Sequence, residues 1–222
     1  MAAAHGDDSS NAADALAELC RTYWYPLYTY LRSRGHFTHE AEDLTQSFFT
    51  SLLGRDFLAK IDRRKGTFRS FLLASLKHFL SDERDRASAQ KRGGGKPIIA
   101  LDGLDAGTRY RLEPAHHLSP DKMFEKQWAL SVLELVLSRL QSEAAVAGNH
   151  ALFAALQSSL TDHQSARYAA IARDLDMTEV AIKSAALRLR RRYRKLLIEE
   201  IAQTVSDPDQ IDGEIQYLMS CL

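Results

Sequence analysis

The segment from Arg167 to Leu197, RYAAIARDLDMTEVAIKSAALRLRRRYRKLL, constrains the fold more than any other part of the chain. Ile171, Ala172 and Leu175 fall at helical spacing and give a short helix one apolar face. Met177 falls in a turn. Beyond it, Ile182, Ala186, Leu189, Tyr193 and Leu196 recur in steps of three and four, so a second helix also carries one buried stripe. Thr178 suits the N-cap of that helix, because its hydroxyl can accept from a free backbone N–H of the first turn. Glu179 suits the positive end of the helix dipole. Ala172 is small where the two helices must approach closely. Asp176 occupies the turn position that often holds Gly, and Asp tolerates the left-handed conformation better than most residues. The pattern predicts a helix-turn-helix.

The other face of the second helix is basic. Lys183, Arg188, Arg190, Arg191, Arg192, Arg194 and Lys195 lie on it, and Glu179 is the only carboxylate between Met177 and Ile198. The N-terminal half of such a helix reaches base edges in the major groove, while flanking Arg and Lys hold phosphates. Lys183, Ser184 and Leu187 are therefore expected at bases, with Arg188 at the margin. Thr178 begins the contacting surface, and Arg190, Arg191 and Arg192 are expected at phosphates together with Arg194 and Lys195. The plainer alternative is a solvated amphipathic helix; the acid-poor run and the cap-and-turn before it argue for DNA.

The chain has 222 residues, 45% hydrophobic and 26% charged, an ordinary globular composition that allows one or two domains. No apolar run is long enough for a bilayer. MAAAHGDDSSNAAD lacks a charged n-region and an apolar core, so no signal peptide is expected and the reading is cytoplasmic, with no membrane. Cys20 and Cys221 have no CxxC spacing and read as free thiols. The zero net charge is in part a cancellation between neighbours, since the tail after Ile198 holds six acids and no Lys or Arg.

Strand signals are weak, Ile98 to Leu101 being the best, and helical periodicity dominates. The expected fold is all-α: two small helical bundles joined by a flexible linker, the second containing the helix-turn-helix. Residues 1–13 read as a disordered arm and 14–92 as the first bundle. There, Ala15 to Ser33 read as one helix carrying Leu16, Leu19, Tyr23, Leu27, Tyr30 and Leu31, with Pro26 predicting a kink or break near Tyr25 and Gly35 closing it. Thr38 starts a second helix, and Phe68 to Leu80 lie at the spacing of a third. Residues 93–119, opening with Gly93-Gly94-Gly95, read as a linker that reaches about 90 Å when extended. The GGGK there has Pro97 where a phosphate loop needs Ser or Thr. Residues 120–198 read as the second bundle, with a long core helix from Met123 to Leu140. Residues 199–222 form an acidic extension in which Ile211, Ile215, Leu218 and Leu222 make an apolar stripe. Two roles are open for it: shielding the basic helix, which gives intramolecular control, or plain stabilisation.

In this order and spacing, the residues resemble a bacterial RNA polymerase sigma factor of the extracytoplasmic-function type, over nearly all of the chain from Ala15 to Leu197. Glu42 to Phe49 is similar to the AED-L-x-Q-x-x-F stretch that docks on polymerase, which implies polymerase contacts by Glu42, Asp43, Gln46 and Phe49. Gly66 to Leu72 is similar to the start of region 2.3, with Phe71 where the family usually has Trp. Lys77-His78 stands where Arg-Asn is usual. For the minus-ten element the resemblance implies Arg63, Arg64, Lys65, Arg69, Lys77, His78, Arg84, Arg86, Lys91 and Arg92. Ile182-Lys183-Ser184 resembles the V-K-S of the helix that reads the minus-thirty-five element. The implied function is to bind core RNA polymerase and direct it to promoter DNA, with an anti-sigma factor as a further candidate partner. The rival is a helix-turn-helix regulator that binds duplex DNA without polymerase.

No Ser-His-Asp or paired-carboxylate arrangement stands out, so no enzyme, cofactor or metal is expected. His36 and His39 read as loop and cap residues. Phe68, Phe71 and Phe79 sit at core spacing and read as core, not as platforms for unpaired bases.

Overall fold

The computed structural model describes residues 20–53, 66–90, 118–160 and 165–222. Every regular element among them is helical, and they contain no strand. The helices are α1 (20–33), α2 (Thr38–Leu53), α3 (Phe68–Gln90), α4 (Pro120–Val146), α5 (His150–Leu156), α6 (Ser165–Asp174), α7 (Glu179–Ala202) and α8 (Ile211–Ser220). Short 3-10 turns at Gln157–Leu160 and Pro208–Gln210 precede α6 and α8. Among the described residues no helix is long and apolar enough to cross a membrane. The arm at 1–13, the strand-like run at Ile98 and all of the linker before Leu118 lie outside the described residues.

Two compact units emerge, and they divide the chain at points other than those read from the sequence. One takes the residues up to Ser131 together with Thr204–Leu222; the other is Val132–Gln203. The division falls inside α4, not at its start. The reason lies in the pattern of that helix. Met123, Phe124, Gln127, Trp128 and Ala129 are buried on several sides, whereas Val132, Val136 and Leu140 form a single stripe at four-residue spacing. α4 thus gives each unit a different kind of surface. It begins at Pro120, whose missing N–H costs nothing in a first turn, and Ser119 accepts from the Lys122 amide.

In the first unit, α1 brings Tyr23, Leu27, Tyr28, Tyr30 and Leu31 to the core. Of the kink or break expected at Pro26, the break does not occur: the helix runs through it, and the Pro26 carbonyl accepts from the Thr29 hydroxyl at 2.9 Å. Trp128 is fully buried and donates its indole N–H to the Tyr23 hydroxyl at 3.1 Å, which meets the demand of the one polar atom it buries. Phe68 packs edge-on against Tyr23, and Phe79 against Phe48, so these rings line the core. Gly35, at φ +92°, ends α1 with the two bonds of a Schellman cap, Gly35 N–H to Arg32 and His36 N–H to Leu31.

The tail belongs to this unit. The Thr204 carbonyl accepts from the Phe68 amide at 2.9 Å, supplying a partner to the first turn of α3. From α8, Leu218 and Glu214 are buried and Ile211 and Ile215 half-buried, while Leu222 beyond its end is exposed. Both cysteines are free thiols, and burial pushes the Cys20 thiol up to about 11.

Candidate nucleic-acid interface

The core of the second unit fixes the outward face of α7. Leu156 of α5, Tyr168, Ile171 and Ala172 of α6, and Ile182, Ala185 and Ala186 of α7 form one buried cluster, with Leu175 and Leu189 packed at its edge. The turn between α6 and α7 is itself a Schellman cap. Asp176 N–H reaches the Arg173 carbonyl, Met177 N–H reaches that of Ala172, and Asp176 takes φ +51° in the position glycine normally fills. Thr178 then caps α7 in extended backbone, its hydroxyl accepting from the Ala181 amide at 3.2 Å. Cap, turn and cluster together set the rotation of α7 about its axis.

That rotation sorts the predicted residues into two groups. Val180, Lys183, Ser184, Leu187, Arg188, Arg191, Arg194 and Lys195 are exposed and fall within one face at about 3.6 residues per turn. Thr178 is exposed at the start of that face. The neutral members lie in the first two turns, and from Arg188 onward every member is a cation. Lys183 pairs with Glu179 one turn back, at 2.6 Å between half-exposed groups.

Arg190 and Arg192 stand apart, on opposite flanks of the face. Arg190 turns inward, donating to the Ser159 carbonyl and the Tyr168 hydroxyl, each at 3.4 Å. Arg192 forms a two-pronged pair with Glu143 of α4, Nε to Oε2 at 2.7 Å, and has Glu199 at 3.7 Å. The hydrogen bond from Arg192 holds the Glu143 carboxyl below its ordinary range, and Glu143 in turn raises the guanidinium. Arg139, one turn before Glu143 on α4, clasps Glu200 and Glu199. Arg190 and Arg192 are therefore held by their own unit, and only Arg191 of that trio points freely outward.

In the first unit the predicted residues are divided too. Asp43 is exposed on α2, Glu42 and Gln46 are half-buried beside it, and Phe49 is buried in the core. His39 faces Glu42 at 3.6 Å and His36 faces Glu40 at 2.9 Å, each within its own stretch of chain. On α3, Lys77, His78, Arg84 and Arg86 are exposed, Lys77 paired with Asp121 at 2.7 Å and Arg86 with Glu83 at 2.7 Å. Arg63, Arg64, Lys65, Lys91 and Arg92 lie outside the described residues.

Arg69 is the exception on α3. Its side chain is only 12% exposed, and it donates from Nε and Nη2 to the two oxygens of Glu214, at 2.6 and 3.2 Å. Glu125 is 4.0 Å away. The guanidinium carbon lies 5.0 Å from the Trp128 ring centroid and 3.9 Å from that of Tyr217, a double cation–π arrangement. Burial alone would lower the guanidinium's pKa, but the hydrogen bond and charge of Glu214 raise it above its usual value. Burial, with a hydrogen bond to Glu125, pushes Tyr217 up to about 12. Expected from the sequence at DNA, Arg69 instead joins α3 to α8 inside the first unit, because Glu214 provides the closer and better-shielded anion.

Several exposed hydrophobic residues were not read from the sequence, Val180 and Phe37 among them. Val180 is 74% exposed in the first turn of α7, and Phe37 is 82% exposed before α2. The signal for Val180 was present: it is apolar, yet lies off the stripe of Ile182, Ala186 and Leu189 and in line with Ser184 and Leu187. No family model, curated protein or solved structure matches the chain.

Proposed function

We propose that this chain is a sigma factor of the extracytoplasmic-function type, which binds core RNA polymerase and directs it to promoter DNA. In this reading α7 enters the major groove of the minus-thirty-five element. Asp43, with Glu42 and Gln46 beside it, meets the polymerase, while Phe49 holds α2 from within. Lys77, His78, Arg84 and Arg86 face the opened minus-ten strands. The observation that carries the reading is α7: a capped second helix, rotationally fixed by its own core, with a carboxylate-poor face whose distal half is entirely cationic.

A helix-turn-helix regulator acting without polymerase uses the same face of α7. One observation favours it: Arg69 is held by Glu214, which removes a cation from the set that would capture unpaired strands. Transcription from genomic fragments, using core RNA polymerase with and without the full chain, separates the two. Initiation at specific sites only when the chain is present is the expected result. Specific duplex binding with no initiation selects the regulator. Asp43→Arg, a change at an exposed position, is expected to abolish co-elution with core polymerase; undiminished co-elution overturns the role given to α2.

A further inference from the structure

The outward face of α7 is not uniformly basic. Over its first two turns it presents Val180, 74% exposed, then Ser184, then Leu187, 46% exposed, aligned at steps of four and three, with Lys183 at their side paired to Glu179. These two branched aliphatic side chains take no part in the core face, where Ile182, Ala185 and Ala186 are buried. From Arg188 the same face becomes Arg188, Arg191, Arg194 and Lys195. Aliphatic tips followed by cations along one helix face match a surface that sets methyl groups between phosphates. In the DNA major groove, thymine projects a C5-methyl between backbones of phosphate.

We infer that Val180 and Leu187 contact thymine methyl groups, so that this chain reads its duplex partly through apolar contact, with Ser184 between them available to a base edge. The inference rests on the proposed role of α7 at duplex DNA and adds the kind of base it selects. It does not depend on polymerase. The spacing follows from helix geometry. Seven residues at about 1.5 Å rise separate the two side chains by roughly 10 Å along the axis, which is about three base-pair steps of duplex. Phosphate contacts by Arg191, Arg194 and Lys195 carry no sequence information and set register only.

The chemistry has a clean probe. Uracil in place of thymine deletes the methyl and leaves every hydrogen-bonding group of the base pair in place. The full chain, alone and with core RNA polymerase, is used to select duplexes from a random-sequence library. Each thymine of the recovered duplex is then replaced by uracil in turn, and affinity is measured at fixed salt. Two positions about three base pairs apart are expected to show about a fourfold loss each, the worth of one buried methyl-sized group. Val180→Ala should remove the uracil effect at one position and Leu187→Ala at the other, with the salt dependence of binding unchanged. Both residues are exposed, so neither change removes core packing. A recovered duplex that is indifferent to uracil everywhere overturns the inference and leaves the DNA role standing, as do uracil effects that persist in both variants. If no duplex is enriched under either condition, the DNA role falls with it and the face belongs to a protein partner.

Discussion

Single residues carry two local decisions in this fold. The first is Asp176. It closes the helix-turn-helix at φ +51°, a conformation that costs an L-residue roughly 1–2 kcal/mol, partly relieved in Asp by its short polar side chain. Asp176→Gly is expected to raise stability by about 0.5 kcal/mol, the relief of strain being partly offset by glycine's larger unfolded-state entropy. Thr178→Ala should lose about 1 kcal/mol with the cap bond to Ala181. Urea midpoints measure both, and a destabilised Asp176→Gly would show that the Asp side chain matters more than its backbone. The second decision is the Arg69–Glu214 pair. Glu214→Ala leaves a largely buried guanidinium without its main partner, and a loss of about 3 kcal/mol is expected. Adding Arg69→Met should recover most of that loss, because the cost lies in the unpaired charge more than in the missing bond. If the double variant is no more stable than Glu214→Ala, the cation–π contacts with Trp128 and Tyr217 dominate instead. The sequence made Asp176, Thr178 and Gly35 legible because caps and turns are set by neighbours in the chain. It could not show Glu214 beside Arg69, since the partners are separated by 145 positions and no local period links them.

At the scale of elements, α7 joins what the sequence conveyed to what it could not. Its buried stripe and its cap were readable from spacing alone. The division of its arginines was not, because periodicity tells which side of a helix faces out but not which neighbour borders that side. Arg190 and Arg192 lie on the flanks, where α6 with the turn before it, and α4 with Glu199, supply their partners. On the role proposed for α7, the consequence is measurable in DNA binding. Arg191→Ala should weaken binding to all duplex sequences alike and reduce the slope of log affinity against log salt by about 0.9, the release of one counterion. Arg190→Ala should leave that slope unchanged and lower thermal stability. Equal slopes for the two variants would mean that Arg190 swings out to phosphate. The clasp between α4 and α7 adds a pH term. Because Glu143 has its carboxyl lowered in the folded chain, its pairing stabilises above the unfolded carboxylate value and is lost as pH falls through the folded one. Both partners are well exposed, so the effect is small, under about 1 kcal/mol, and fades with salt. Glu143→Gln should flatten the acid limb of stability against pH by that amount, and an unaltered limb would assign the acid sensitivity elsewhere.

For the whole molecule, the tail is the informative part. Its acidic composition reads as that of an appendage to the second bundle. The segment beyond Gln203 instead completes the first unit. It contributes a carbonyl to the start of α3, a carboxylate to Arg69, and the buried Leu218. Sequence order hid this because the two ends of one core are separated by the whole of the second unit. A chain built this way closes its first core only after α8 has been made, so α8 should govern the stability of α1 and α3 despite its distance from them in sequence. Truncation after Gln203 is therefore expected to strip hydrogen-exchange protection from the first turns of α3 and from the α4 segment around Trp128. The amides of α6 and α7, whose core residues Ile171, Ala172, Ile182 and Ala186 all lie in the other unit, serve as the internal reference and should keep theirs. Loss of protection confined to α8 itself would show the tail to be dispensable packing. Loss spread evenly over α3 and α7 would show that the continuous helix α4 makes the two units unfold as one.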